Sequence, residues 1–330
     1  GALWVLLFHF TRGHDIPVLR DGFLGVDVFF ILSGFVLSHA HPLRRWTLSS
    51  YGKFLKARIG RLFPLHVVPL LFLVLVVFAV PGFIGSFGPA GRAKFSLAEF
   101  FASLFLVQNW GIGEAAPWNG PAWSLSAEWL ASIAFPVFLV GARKIPRGRV
   151  AVLAAYLAMI AFVLFLFATD NSGPGVEARA GLVRMFCEFL AGCLLYRAYS
   201  GGIRAGPVLA LAALALFMAG TLVPTFIALP LFSFPVVVLL ASQDGNRFSK
   251  FLSTPIMQFF GNISYSLYLL HWTLLHTSMV VVSRWEVPGT MEIPWYGALF
   301  AMTVGVSVLT YRYVEIPMRR RVRSLDFRPK

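Results

Sequence analysis

Charged and imidazole side chains inside apolar runs are the residues of this sequence most able to do chemistry. Holding one in a bilayer costs about 2.5–3.5 kcal/mol on insertion scales, so it marks a functional candidate. His9 closes the run ALWVLLFHF. An imidazole titrates near neutrality and suits a general base, although a hydrogen bond to a neighbouring carbonyl would occupy it equally well. No Ser or Cys nucleophile motif competes with it. Asp27 sits in FLGVDVFFILSGF with no cation nearby in sequence, so its partner must come from another helix. Orienting His9 would satisfy both groups; a structural pairing elsewhere would serve as well.

Arg58 and Arg61 in KARIGRLFPLH stand three apart on one helix face, at the start of an apolar run. Two guanidinium forks on one face suit a phosphate or pyrophosphate, against the alternative of ordinary membrane-flanking charge, which is the reading for Arg44 and Arg45. Glu128 and Ser126 belong to PAWSLSAEW. There Ser124 is predicted to cap a helix whose dipole favours an early acid, and the tryptophans fit an interfacial belt. GNISYSLYLLHW carries Tyr265, Tyr268 and His271 along one segment. These three, with Ser126 and Glu128, are the candidate substrate-lining residues, or else they tie helices together. Glu315 in YRYVEIP lies between Arg312 and Arg319, which predicts a local ion pair. His66, Glu188 and His276 read as structural.

The elements that must position these groups are membrane helices. Hydrophobic residues make up 58% of the 330, and charged residues 13%, against about 25% charged in soluble domains. Apolar runs recur near the roughly 20 residues a span requires. Spans are predicted over 1–10 (cut short at its start), 23–40, 62–80, 122–140, 150–168, 182–198, 207–223, 226–241, 256–282 and 294–314. The stretch 97–107, leading into QNWGIGEAAPWNGPAW, is predicted as a non-spanning or re-entrant segment. With that assignment most Lys and Arg fall on the cytoplasmic side, and both chain ends do too. The expected fold is all-α, a polytopic transmembrane bundle of about ten spanning helices.

The net charge of +14 does not indicate nucleic acid, because it is scattered through short loops and forms no basic arm. Cys187 and Cys193, six apart, suggest neither a disulfide framework nor a metal site. Without an internal inverted repeat, the rival reading of a proton-coupled transporter or a lipid or glycan exporter loses its usual support.

Taken together, FLGVDVFFILSGF, the Arg58–Arg61 pair, PAWSLSAEW, GNISYSLYLLHW and YRYVEIP resemble the membrane-bound acyltransferase family 3 over nearly the whole chain. The resemblance implies one membrane domain over 1–330, with no esterase-like domain within those residues. It implies transfer of an acyl group, usually acetyl, from cytoplasmic acyl-CoA to a hydroxyl of a cell-surface glycan, glycolipid or similar acceptor at the plasma membrane. His9 matches the family's histidine, whose partner arginine would fall before Gly1. By the same likeness Arg58 and Arg61 correspond to a coenzyme A phosphate site and Glu315 to a required acid. With the residue-level reading of Asp27 added, the expected mechanism has His9 as base, Asp27 holding the imidazole, and no metal.

Overall fold

The computed structural model describes residues 1–11, 16–41, 46–111, 118–169, 180–223, 228–282 and 291–325. These residues form helices and no strand. In chain order they are α1 (Ala2–Phe10), α2 (Pro17–Arg20), α3 (Gly25–Ala40), α4 (Leu48–Ala79), α5 (Gly91–Lys94) and α6 (Leu97–Leu104). There follow α7 (Ala122–Lys144), α8 (Arg149–Ala168), α9 (Gly181–Ser200), α10 (Pro207–Leu222) and α11 (Phe234–Ala241). The chain ends with α12 (Arg247–Leu252), α13 (Pro255–Val282), α14 (Glu292–Thr310), a π-helical turn at Tyr311–Glu315, and α15 (Ile316–Leu325).

Among the described residues, five helical stretches are long and apolar enough to cross a bilayer: Gly22–Ala40, Leu48–Ala79, Ala122–Lys144, Arg149–Ala168 and Ile293–Val322. Pro207–Leu222 and Leu229–Ala241 are shorter apolar helices. The last of these is a 3-10 turn, Leu229–Ser233, running into the eight residues of α11. Pro230 and Pro235 account for the change of pitch, since proline cannot donate to the helical ladder. The predicted non-spanning stretch at 97–107 contains α6, whose eight residues reach only about 12 Å. A hydrocarbon core of about 30 Å is well beyond that. Arg44 and Arg45 lie outside the described residues.

The chain divides into two compact units. The first comprises Gly1, Leu3–Trp46 and Leu130–Gly261; the second comprises Ala2, Thr47–Trp129 and Asn262–Lys330.

In the first unit α3 packs along α9 and α8 along the same α9. Glycines set the first of these contacts. A Cβ on Gly34 of α3 would run into the Phe189 carbonyl, and one on Gly192 of α9 would run into the Ile31 carbonyl. The two backbones therefore touch at reciprocal small residues, the usual device where lipid leaves no hydrophobic force between helices. Gly34→Val is expected to separate α3 from α9 and lower the melting temperature of the detergent-solubilised protein by at least 5 °C. Val at Gly52, which has open space around it, is the control and should leave it unchanged.

In the second unit α4 begins at Leu48, well before the apolar run that starts at Leu62. A capping box starts it: the Ser50 amide donates to Thr47 Oγ1 at 3.1 Å, and the Thr47 amide to Ser50 Oγ at 2.9 Å. The helix thereby carries Arg58 and Arg61 as regular helical positions. Leu70, Leu73, Val76, Phe83, Phe95, Trp118 and Trp272 form an apolar cluster over which the residue 81–111 connection folds. Val322 of α15 packs on Gly60 of α4, where a Cβ would collide with it.

Candidate active site

The second unit gathers most of the candidate residues. Arg58 is buried on α4, and its Nη2 donates to Glu128 Oε1 on α7. Glu128 is thus an ion-pair partner and not a dipole acid, which corrects the local helix-start account. Tyr265 of α13 donates its O–H to the Leu62 carbonyl at 2.6 Å. Its ring oxygen lies within the electrostatic reach of Glu128, Glu315, Arg61 and Arg58. Arg61 is exposed and makes no ion pair among the described residues, while its charge acts on Arg58, Tyr265 and Glu315. The two arginines therefore differ. One is neutralised inside the unit, and the other presents an open fork.

Glu315 reaches this network through the π-helical turn, which adds a residue to the helical repeat and swings the carboxylate inward. It is 2% exposed. Its Oε1 pairs with Arg319 of the next turn, and Ser266 Oγ donates to Oε2 at 3.3 Å. The predicted local ion pair is present, with Arg319 as its partner, and a second tie to α13 was not legible.

One turn further along α13, Tyr268 O–H donates to the Pro121 carbonyl at 3.1 Å and meets Ser124 Oγ at 2.7 Å. Ser124 lies inside the first turn of α7 and donates back to Pro121, so the predicted cap is instead a link between the α7 start and α13. His271 is fully buried, with Nδ1 3.1 Å from the Leu267 carbonyl. Ser126 accepts from the Asn109 amide at 3.2 Å, and its carbonyl accepts from Trp110 Nε1 at 3.1 Å.

Composition gave no warning of the amides beside it. Gln108 donates to the Ala122 carbonyl and Asn119 to the Leu269 carbonyl, each at 2.9 Å. Both are buried, as is Asn109. Ahead of them, α6 ends in a Schellman motif, with Val107 bonded to Ala102 and Leu106 to Ser103. Leu106 occupies the left-handed position at φ 56°, where a side chain costs about 1–2 kcal/mol. The only readable signal was the run of Asn, Gln and Trp in an apolar context.

Lys94 closes this unit on the side of the 81–111 connection, 5.0 Å from the Trp272 ring and under 6 Å from Phe87 and Phe95. Burial among the rings lowers its pKa from 10.5 to about 8, against the opposing pull of Glu99. Between those values the unfolded chain holds a proton that the folded chain has released. Stability therefore rises with pH across that window and carries the full penalty below about 8. Lys94→Met is expected to flatten the rise in melting temperature between pH 7.5 and 10; an unchanged slope would place the titration elsewhere.

The first unit holds His9 and Asp27. His9 Nδ1 lies 2.9 Å from the Val5 carbonyl one turn earlier, and Phe8 meets the ring edge-on with centroids 4.9 Å apart. A carbonyl can only accept, so Nδ1 is the donor of this pair. Asp27 does not serve that imidazole. Both its oxygens accept from Arg184 of α9, Oδ1 from Nε at 2.8 Å and Oδ2 from Nη2. Arg184 also donates to the Phe23 carbonyl at 3.2 Å and stands 3.8 Å from Glu188 one turn on. The expectation that Asp27 holds His9 is corrected: a guanidinium offers two aligned donors, and the cation required by Asp27 is Arg184. Its spacing to Glu188 was readable, whereas its pairing across 157 residues was not.

These features define a multi-pass helical membrane protein whose ionisable groups are collected into networks inside its helices. Residues 1–312 match the Acyltransferase domain of acyltransferase family 3. The chain belongs to that family and is a membrane acyltransferase. It is 28% identical to Acyltransferase MdmB of Streptomyces mycarofaciens over 91% of this chain and 81% of that protein. Identity is 27% to the putative membrane-bound transacylase BcsY of Komagataeibacter xylinus, over 94% and 78%. O-acetyltransferase OatA of Staphylococcus aureus is 25% identical over 100% of this chain and 57% of its own length. No solved structure matches.

Proposed function

We propose that the protein is an O-acyltransferase that takes an acyl group, acetyl in its usual substrate, from cytoplasmic acyl-CoA. The acceptor is a hydroxyl of a cell-surface glycan, glycolipid or similar molecule. The observation that carries this reading is the Arg58–Glu128–Tyr265–Glu315 network beside an exposed Arg61, in a chain of this family. Arg61 offers its fork to the donor's phosphates, and Arg58 holds α4 to α7 so that the fork keeps its place. The names of OatA and BcsY support acetyl transfer and a membrane location. We assign the plasma membrane and cytoplasmic ends on the strength of the basic loops.

In the reaction His9 Nε2 accepts the acceptor's hydroxyl proton as that oxygen attacks the thioester carbonyl. The carbon–sulfur bond then breaks, coenzyme A leaves as its thiolate, and the proton on His9 returns to that sulfur. The Val5 carbonyl fixes the tautomer that this step needs. Glu315 and Asp27 act by holding helices: Glu315 seats the π-turn against α13, and Asp27 holds α3 to α9. Tyr268, His271, Ser126 and Glu128 supply hydroxyl, imidazole and carboxylate partners for substrate on the second unit.

The test is reconstitution of the purified full chain in vesicles with radiolabelled acetyl-CoA and a panel of hydroxyl-bearing glycans and glycolipids, with no ion gradient. Labelled product above the protein-free rate is expected. Transport of an acceptor without label transfer would turn the reading toward an exporter.

A further inference from the structure

A groove in the first unit, apart from every residue used above, joins positive charge to aliphatic surface. It lies where α8 begins and the α9–α10 connection turns, and it has a volume of about 590 Å³. Arg149 and Arg204 supply its charge. Val152, Leu153, Ile203 and Leu209 form its walls, with the Tyr156 ring deeper along α8. No acidic side chain lines it. Leu153 and Leu209 are 60% and 48% exposed, as side chains on a lipid-facing surface are.

Two touching turns build the groove. Gly148, at φ 80°, ends the α7–α8 connection so that α8 starts at Arg149. α9 stops in a Schellman motif: the Ile203 amide bonds the Ala198 carbonyl, and the amide of Gly202, at φ 91°, bonds that of Tyr199. The turns meet at Gly201, where a Cβ would lie 2.7 Å from the Gly148 amide. That contact brings Arg149 and Arg204 to one cavity. Arg204 is then fixed in place. Its Nη1 donates to the Tyr199 and Ile203 carbonyls, each at 2.8 Å, and its guanidinium lies 4.1 Å from the centre of the Tyr199 ring. Further in, Tyr156 donates its O–H to the Phe232 carbonyl at 3.2 Å, so it offers the groove a ring face.

Neither arginine is used up by the fold. Arg149 is exposed and makes no hydrogen bond or ion pair among the described residues. It is also the first residue of α8, where the positive end of the helix dipole disfavours a cation, and no acid stands in that turn. A helix partner is therefore not its role. Arg204 is exposed as well, and its Nε and Nη2 make no hydrogen bond among the described residues. Membrane-flanking charge explains a basic residue near a span. It does not explain two open guanidiniums sharing one concavity with aliphatic walls.

We propose that this groove binds one anionic phospholipid, with its phosphate between Arg149 and Arg204 and an acyl chain along Val152, Leu153 and Leu209. Guanidinium forks match phosphate oxygens, and basic pockets between membrane helices take such headgroups. Arg149 to Tyr156 is seven residues, about 10 Å along α8, which leaves room for the glycerol and the first carbons of a chain. The volume falls within the range of about 300–1,000 Å³ for ligand sites. A soluble nucleotide fits poorly, because its polar remainder would lie against walls that face hydrocarbon. The proposal is independent of the acyl donor and of the site at Arg61.

The experiment titrates the full chain in detergent with phosphatidylglycerol, phosphatidylcholine or soluble glycerol 3-phosphate, and counts bound molecules by native mass spectrometry. The wild type should retain one phosphatidylglycerol at concentrations where neither phosphatidylcholine nor glycerol 3-phosphate is retained. One arginine beside an anionic lipid is worth about fivefold in affinity. Arg149→Gln should therefore bind phosphatidylglycerol about fivefold more weakly, and Arg149→Gln combined with Arg204→Gln at least tenfold. Arg149 is exposed and holds nothing else in place, so its single variant keeps the fold even if the pair does not. Lys144→Gln combined with Lys250→Gln removes the same charge from exposed positions outside the groove and should stay within twofold of the wild type. The proposal is overturned if phosphatidylcholine binds as well as phosphatidylglycerol, or if Arg149→Gln binds as the wild type does. It is overturned too if the lysine pair loses as much as the arginine pair, which would mean diffuse surface attraction. Retention of glycerol 3-phosphate as tight as that of the lipid would overturn it in favour of a soluble anion.

Discussion

His9→Gln protein, folded and still stabilised by coenzyme A, is expected to transfer acyl groups about 10²–10⁴-fold more slowly than the wild type, the usual contribution of a positioned base. Gln is the informative replacement. Its amide can still donate to the Val5 carbonyl that His9 Nδ1 faces, so the local helix turn stays satisfied. What it cannot do is accept and then release a proton. His9→Ala removes both functions and should lose at least as much rate. The measurement is labelled acetyl transfer per folded molecule, with the folded amount set by size-exclusion recovery. A Gln variant at the native rate would remove His9 from the chemistry and leave His271, whose Nδ1 faces the Leu267 carbonyl in the same way, as the base to examine.

The largest stability effect is expected at Arg184. Replacing it with Met strands Asp27, which takes two bonds from it, and leaves Glu188 beside that carboxylate with no cation. Removing one partner of a buried pair costs about 3–5 kcal/mol, because the remaining charge has lost its solvation and its counter-charge together. Arg184→Met should therefore melt far below the wild type in detergent or aggregate on extraction. Neutralising all three positions, with Asp27→Asn, Arg184→Met and Glu188→Gln, should recover a large part of the loss. A single Arg184→Met protein as stable as the wild type would mean that the cluster is solvated and not buried. Asp27→Asn separates structure from chemistry: its folded fraction should fall while the rate per folded molecule stays within a fewfold. A collapse of that rate would return Asp27 to the imidazole.

The helical membrane class, the approximate limits of α8, α10 and α13, and the short 97–107 segment were legible in the sequence because hydropathy and residue count are local properties. So was the Glu315–Arg319 pair, four apart on one helix. Residue type and motif also mark Arg58, Glu128, Tyr265 and Glu315, which the fold brings within electrostatic reach of one another.

What the tertiary structure decided was partnership. Local spacing makes Glu128 a dipole acid, whereas in the fold it is the counter-ion of Arg58, 70 residues away. It leaves Asp27 either to His9 or to a structural pairing, and Arg184 makes it the second. It makes Ser124 a cap, whereas in the fold Ser124 joins Tyr268 across 144 residues. A buried charge requires an opposite charge, and the sequence states that demand at every such position. Which of several cations meets it depends on backbones brought together by features such as Gly34 against Phe189 and a π-turn at Glu315. Those contacts depend on side-chain volume at distant positions, which no local pattern of spacing or hydropathy encodes.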